Sequence, residues 1–68
     1  MTNWRTSRIE NLQRDIESAL RRISNWERAL ARPNINFEQE FEASHNIGRD
    51  TALVNRLTDR LSRLQEVA

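Results

Sequence analysis

Cysteine, lysine and tyrosine are absent from this chain of 68 residues, and glycine, proline and histidine occur once each. Without cysteine there is no disulfide and no thiolate metal site. A single glycine excludes a Gly-rich phosphate loop. One glycine and one proline argue against a many-turned β fold. One histidine, with no cysteine or tyrosine beside it, leaves little for acid–base or nucleophilic catalysis, so no catalytic residue and no cofactor are assigned. No apolar run approaches the roughly 18–20 residues of a membrane span. No charged segment followed by an apolar one opens the chain as a secretory leader would. The expectation is a complete, soluble cytoplasmic protein of one domain, residues 1–68, with no membrane partner.

A chain this short buries only about 60% of the surface its unfolded form exposes. With no covalent staple, it needs close helix packing or a partner. Eleven arginines against ten acids leave a formal charge of +1, well short of the excess that non-specific nucleic-acid binders carry. The charge is unevenly placed. Residues 1–32 hold seven Arg and four acids, residues 33–47 three Glu and no Arg, and residues 48–68 four Arg and three acids.

Ile9, Leu12, Ile16, Ala19, Ile23, Trp26 and Leu30 alternate three- and four-residue steps. That spacing predicts a helix over about 4–31 with a heptad seam, Ile9, Ile16, Ile23 and Leu30 at position a and Leu12, Ala19 and Trp26 at d. Ser7 and Glu10 match the capping-box pattern, with Asn3 or Thr2 as caps one turn earlier. Pro33 breaks the chain within a turn at 32–35. Asn36 with Gln39 reads as the next cap and its partner. A second helix is expected over about 36–66, with Val54, Leu57, Leu61, Leu64 and Ala68 as its seam. Phe37 and Phe41 mark a face upstream, and a polar stretch near 46–50, including Gly48 and Asp50, is expected to bend the helix; the alternative is that Gly48 ends a short helix and Asp50 caps another.

Folding back about Pro33 pairs Leu30 with Phe37, Trp26 with Phe41, Leu12 with Val54 and Ile9 with Leu57, and gathers Trp26, Phe37 and Phe41 into a core cluster at the turn. The fold class is therefore all-α, a long antiparallel helical hairpin. One hairpin leaves Leu20, Ala29 and Leu53 wet, so the expected assembly is a homodimer forming a four-helix bundle.

Three features are candidates for function. Arg14, Arg21 and Arg28 recur every seven residues on the outer face of the first helix, and Arg49, Arg56 and Arg63 do so on the second. Guanidinium ladders suit an acidic protein face or phosphates. The simpler reading is a solvated surface with Glu10–Arg14, Glu17–Arg21 and Asp59–Arg63 pairs. Trp4 is either an exposed anchor for a partner or, preferably, a lid over Leu61 and Leu64 at the open end. Glu42 and His45 form a Glu-x-x-His pair, which resembles the motif that ferritin-like di-iron proteins project into a bundle core. That resemblance covers this motif alone, and a polar surface pair is the preferred reading, so no metal is assigned. The expectation is a non-enzymatic protein-binding module (adaptor, inhibitor, regulator or assembly component) with itself and another protein as partners. The alternative is a dimeric bundle that binds nucleic acid through its arginine stripes, and the third reading is a di-metal carboxylate site.

Overall fold

The computed structural model describes residues 3–66 and contains two helices and no strand among them. Helix α1 spans Trp4–Leu30 and helix α2 spans Phe37–Glu66. They pack against each other as a helical hairpin measuring 54 × 17 × 13 Å. Thr2 and Ala68, named above as a cap and as a seam residue, lie outside the described residues.

Each helix begins where a side chain satisfies its free amides. The Asn3 side chain accepts from the Thr6 amide at 3.3 Å, so α1 starts one turn before the Ser7 box. At α2 the box is reciprocal. Asn36 Oδ1 accepts from the Gln39 amide at 2.8 Å, and Gln39 Oε1 accepts from the Asn36 amide at 3.3 Å. Helix α1 ends at Leu30, with the Ala31 amide shared between the Glu27 and Arg28 carbonyls. Pro33 disfavours helical geometry at Arg32, which stops propagation there. Helix α2 stays α-helical through residues 46–50, with no positive φ at Gly48. A lone glycine weakens a helix by roughly 1 kcal/mol, too little to end one held by packing on both sides.

The α1 seam packs as its spacing requires. Leu12 and Ala19 are buried, and Ile9, Ile16, Ile23, Trp26 and Leu30 are half-buried. Leu20 remains 49% exposed, while Ala29 and Leu53 are half-buried. In α2 the buried and half-buried residues Ala43, Ile47, Asp50, Val54, Leu57, Leu61 and Leu64 form an unbroken run of four- and three-residue steps. This seam puts Ile47, Val54 and Leu61 at a, and Ala43, Asp50, Leu57 and Leu64 at d.

Two expectations fail together. Phe37 and Phe41 are 80% and 65% exposed and form no core cluster with Trp26. The α2 seam continued backwards passes through residues 36 and 40, so each phenylalanine lies one residue, or about 100°, off the packed face. The register also differs from a fold-back centred on Pro33. Such a fold-back sets Arg22 opposite Ser44 or His45 and Leu57 opposite Ile9. Arg22 instead reaches Asp50, and Leu57 shares a groove with Asp15 and Ser18. The slide is about six residues, or about 9 Å. It carries residues 37–41 past the end of α1, and Ile35 of the connector lines a groove with Trp26 and Gln39.

The capping geometry gives a discriminating test. Asn36→Ala removes the side-chain acceptor of the α2 box and should cost about 1 kcal/mol, lowering Tm by about 4–8 °C in a chain of this size. Ser7→Ala, inside α1, should change Tm by far less. Circular dichroism melts of the two variants make the comparison, and equal losses would place the start of α1 at Ser7.

Candidate interaction surfaces

The heptad frame divides the hairpin into two broad faces and two outer edges. One broad face is charged. Asp15, Ser18, Arg22, Leu53 and Leu57 line an open groove of about 310 Å³ on it. A second groove of about 200 Å³ on the same side is lined by Trp26, Ala29, Arg32, Ile35, Gln39 and Glu42. The opposite face carries Leu20 of α1 and, along α2, Phe37, Phe41, Ser44, Thr51 and Thr58, all exposed.

Asp50 is the most constrained side chain of the charged face. It occupies a d position, is 2% exposed, and is the one buried charged residue among those described. Arg22 Nε donates to Asp50 Oδ1 at 3.4 Å and to Oδ2 at 3.3 Å, and Arg22 Nη2 donates to Oδ1 at 3.4 Å. Arg49 Nε approaches Oδ1 at 4.0 Å from the neighbouring position. Arg22 is 45% exposed, so its guanidinium bridges the carboxylate and water. Among the described residues no buried side-chain nitrogen or oxygen lacks a partner. The fully buried Ala19 and Ala43 keep the helices close on either side of the pair.

Neither member of this pair stands out in the sequence. Aspartate at d violates the apolar rule, and beside Gly48 it reads as a cap. The signal was the seam itself: the step back from Val54 by four and then three residues lands on Asp50 and Ile47.

The arginine ladders fall on different parts of the surface, and all six residues are exposed. Arg14, Arg21 and Arg28 lie on the outermost edge of α1, at f. Arg49, Arg56 and Arg63 lie at c of α2, turned toward the charged face, so the hairpin does not merge the two stripes into one patch. Of the three acid-to-base pairs proposed from spacing, Asp59–Arg63 closes at 2.9 Å. Trp4 does not act as a lid. It is 59% exposed, with Arg8 Cζ 5.9 Å from the ring centroid.

Glu42 and His45 are both exposed, Glu42 at the lip of the smaller groove and His45 stacked on Phe41 with ring centroids 6.4 Å apart. Neither points into the helix interface, as a bundle-core metal pair must. Among the described residues no group of three His, Cys, Asp or Glu side chains is placed to hold a metal ion, and no helix is long and apolar enough to cross a membrane. Comparison with protein-family models, curated proteins and solved structures found no match.

The Asp50 geometry makes a specific energetic prediction. Arg22→Leu leaves a buried carboxylate with one distant, exposed guanidinium and should destabilise by about 1–3 kcal/mol. The double variant Arg22→Leu/Asp50→Leu removes the charge together with its partner and should recover most or all of that loss. Urea melts of the two variants and the parent check it. A double variant less stable than Arg22→Leu alone would show that the carboxylate contributes something other than a need for its partner.

Proposed function

We propose that the chain is a small, non-enzymatic helical protein-binding module that acts as a homo-oligomer. The observation that carries this reading is the exposure of Phe37 and Phe41 at 80% and 65%, beside Leu20 at 49%, with only four buried apolar residues among those described. Aromatic side chains bury large apolar areas and anchor protein interfaces. A sequence that spends them on solvent while its core is small is suited to association. The scarcity of histidine and the lack of cysteine and tyrosine support a non-enzymatic role. An adaptor, inhibitor, regulator or assembly component fits equally, acting in the cytoplasm.

Six outward arginines favour nucleic acid as a second reading. Interleaved acids and a formal charge of +1 weaken it, because duplex affinity rests on a surplus of cations against phosphates.

Light scattering over a concentration series should report about twice the 8.1 kDa chain mass, with Tm rising as concentration rises because association and folding are linked. A monomer that melts independently of concentration would refute the homo-oligomer. Gel-shift titration with mixed DNA and RNA at about 0.15 M salt, where the screening length is ~8 Å, should show no retention. Tight binding lost on changing Arg14, Arg21 and Arg28 together to Gln would establish the second reading instead.

A further inference from the structure

We propose that the broad face carrying Leu20, Phe37 and Phe41, uncharged along α2 and bearing Glu10, Glu17 and Glu27 along α1, is the docking surface for a second copy of this chain. The copies stack so that α1 of one lies over α2 of the other, with both turns at the same end of the bundle. This rests on the homo-oligomer reading and assigns it a surface and a geometry.

The face is defined by helix geometry. On α2 every e and b position from Phe37 to Gln65 is exposed and uncharged, although the chain as a whole is 31% charged. Among the described residues, three of the four large exposed hydrophobic side chains, Leu20, Phe37 and Phe41, lie here, and the fourth, Trp4, lies on the other side.

Area supports a partner of this size. The hairpin exposes 5566 Å², whereas a globular monomer of 8.1 kDa exposes about 4,500 Å². The surplus of about 1,100 Å² exceeds the ~800 Å² that each partner gives to a stable interface.

Charge selects a second copy and then its orientation. A two-fold contact lays one patch on itself. Burying the opposite broad face would desolvate Arg22, Arg49, Arg56 and Arg63 together with Asp15 and Glu42, whereas the α2 half of the proposed face has no charge to desolvate. Two two-fold stackings remain. With α1 over α1 and α2 over α2, the Arg14, Arg21 and Arg28 edge meets itself, and so does the α2 edge that carries Glu38, Asp59 and Glu66. With α1 over α2, the arginine edge runs beside the acidic one. The register set by Arg22 and Asp50 then brings Arg14 level with Asp59 and Glu27 level with His45 of the second copy. That stacking also gathers Phe37 and Phe41 of both copies at one end, where their apolar surface is covered jointly.

The chain has no native cysteine, so a single label reports the geometry. Asn34→Cys at the turn, spin-labelled for pulsed dipolar spectroscopy, should give one inter-copy distance below about 30 Å. Turns at opposite ends would lie at least the length of α2 apart, about 45 Å, and that result overturns the stacking. In parallel, Leu20→Glu and Phe41→Glu should each weaken dimerisation by about a hundredfold, a tenfold loss at each of two equivalent sites. Ser18→Glu on the opposite face should leave dimerisation unchanged. A parent dimer that survives both glutamates but is broken by Ser18→Glu refutes the surface while keeping the homo-oligomer. A parent chain with no inter-copy dipolar signal refutes the homo-oligomer itself. The turn label requires no charge in any interface, so it decides the question even where a glutamate variant fails to fold.

Discussion

A carboxylate cut off from water needs a cation, and in this hairpin Asp50 finds Arg22. The consequence reaches well beyond one ion pair. Apolar heptads are nearly degenerate along their length, because sliding one helix by a heptad replaces one aliphatic contact with another. A single buried polar residue removes that degeneracy. Sliding α2 to the position symmetric about Pro33 would face Asp50 with Ile16 and Glu17, which offer no donor. The register with Arg22 opposite Asp50 supplies three hydrogen bonds and leaves the guanidinium half in water. The hairpin accepts a longer connector and an overhanging first turn of α2 in return.

That overhang shapes the surface. Phe37 and Phe41 begin α2 beyond the end of α1 and off its packed side, so the largest apolar side chains of the helix remain in solvent. Among the described residues the buried apolar ones reduce to Leu12, Ala19, Ala43 and Leu57, and two of these are alanines that bring the helices close but contribute little transfer energy. A thin core and a broad face that is uncharged along α2 are two sides of one arrangement. The register that satisfies Asp50 also leaves the face that a second hairpin can cover, and the proposed function follows from that pairing.

Much of the fold could be read from residue spacing, because spacing reports azimuth. Ile9 through Leu30 gave the buried side of α1, Asn36 and Gln39 gave the start of α2, and Val54 through Leu64 gave half of its seam. Axial register was harder, since a loop's midpoint does not fix how far two helices slide. Phe37 and Phe41 stay out of the core because phase outranks size and hydrophobicity: counted back from Leu57, both fall off the seam. Asp50 is the complementary case, since its phase is right and its chemistry is wrong for a core. The outward position of the arginine ladders followed from period alone. Their separation onto an edge and a face needed the phase of α2, which Asp50 supplies.

The register is the central claim, and the indole of Trp26 and the methyls of Leu57 report it directly. Nuclear Overhauser contacts in the folded protein should connect Trp26 with Ile35 and Gln39, and Leu57 with Asp15 and Ser18, the pairs that line the two grooves. Contacts from Trp26 to the Phe41 ring together with contacts from Leu57 to Ile9 would instead establish the fold-back centred on Pro33. They would remove Arg22 from Asp50 and contradict the account at its base.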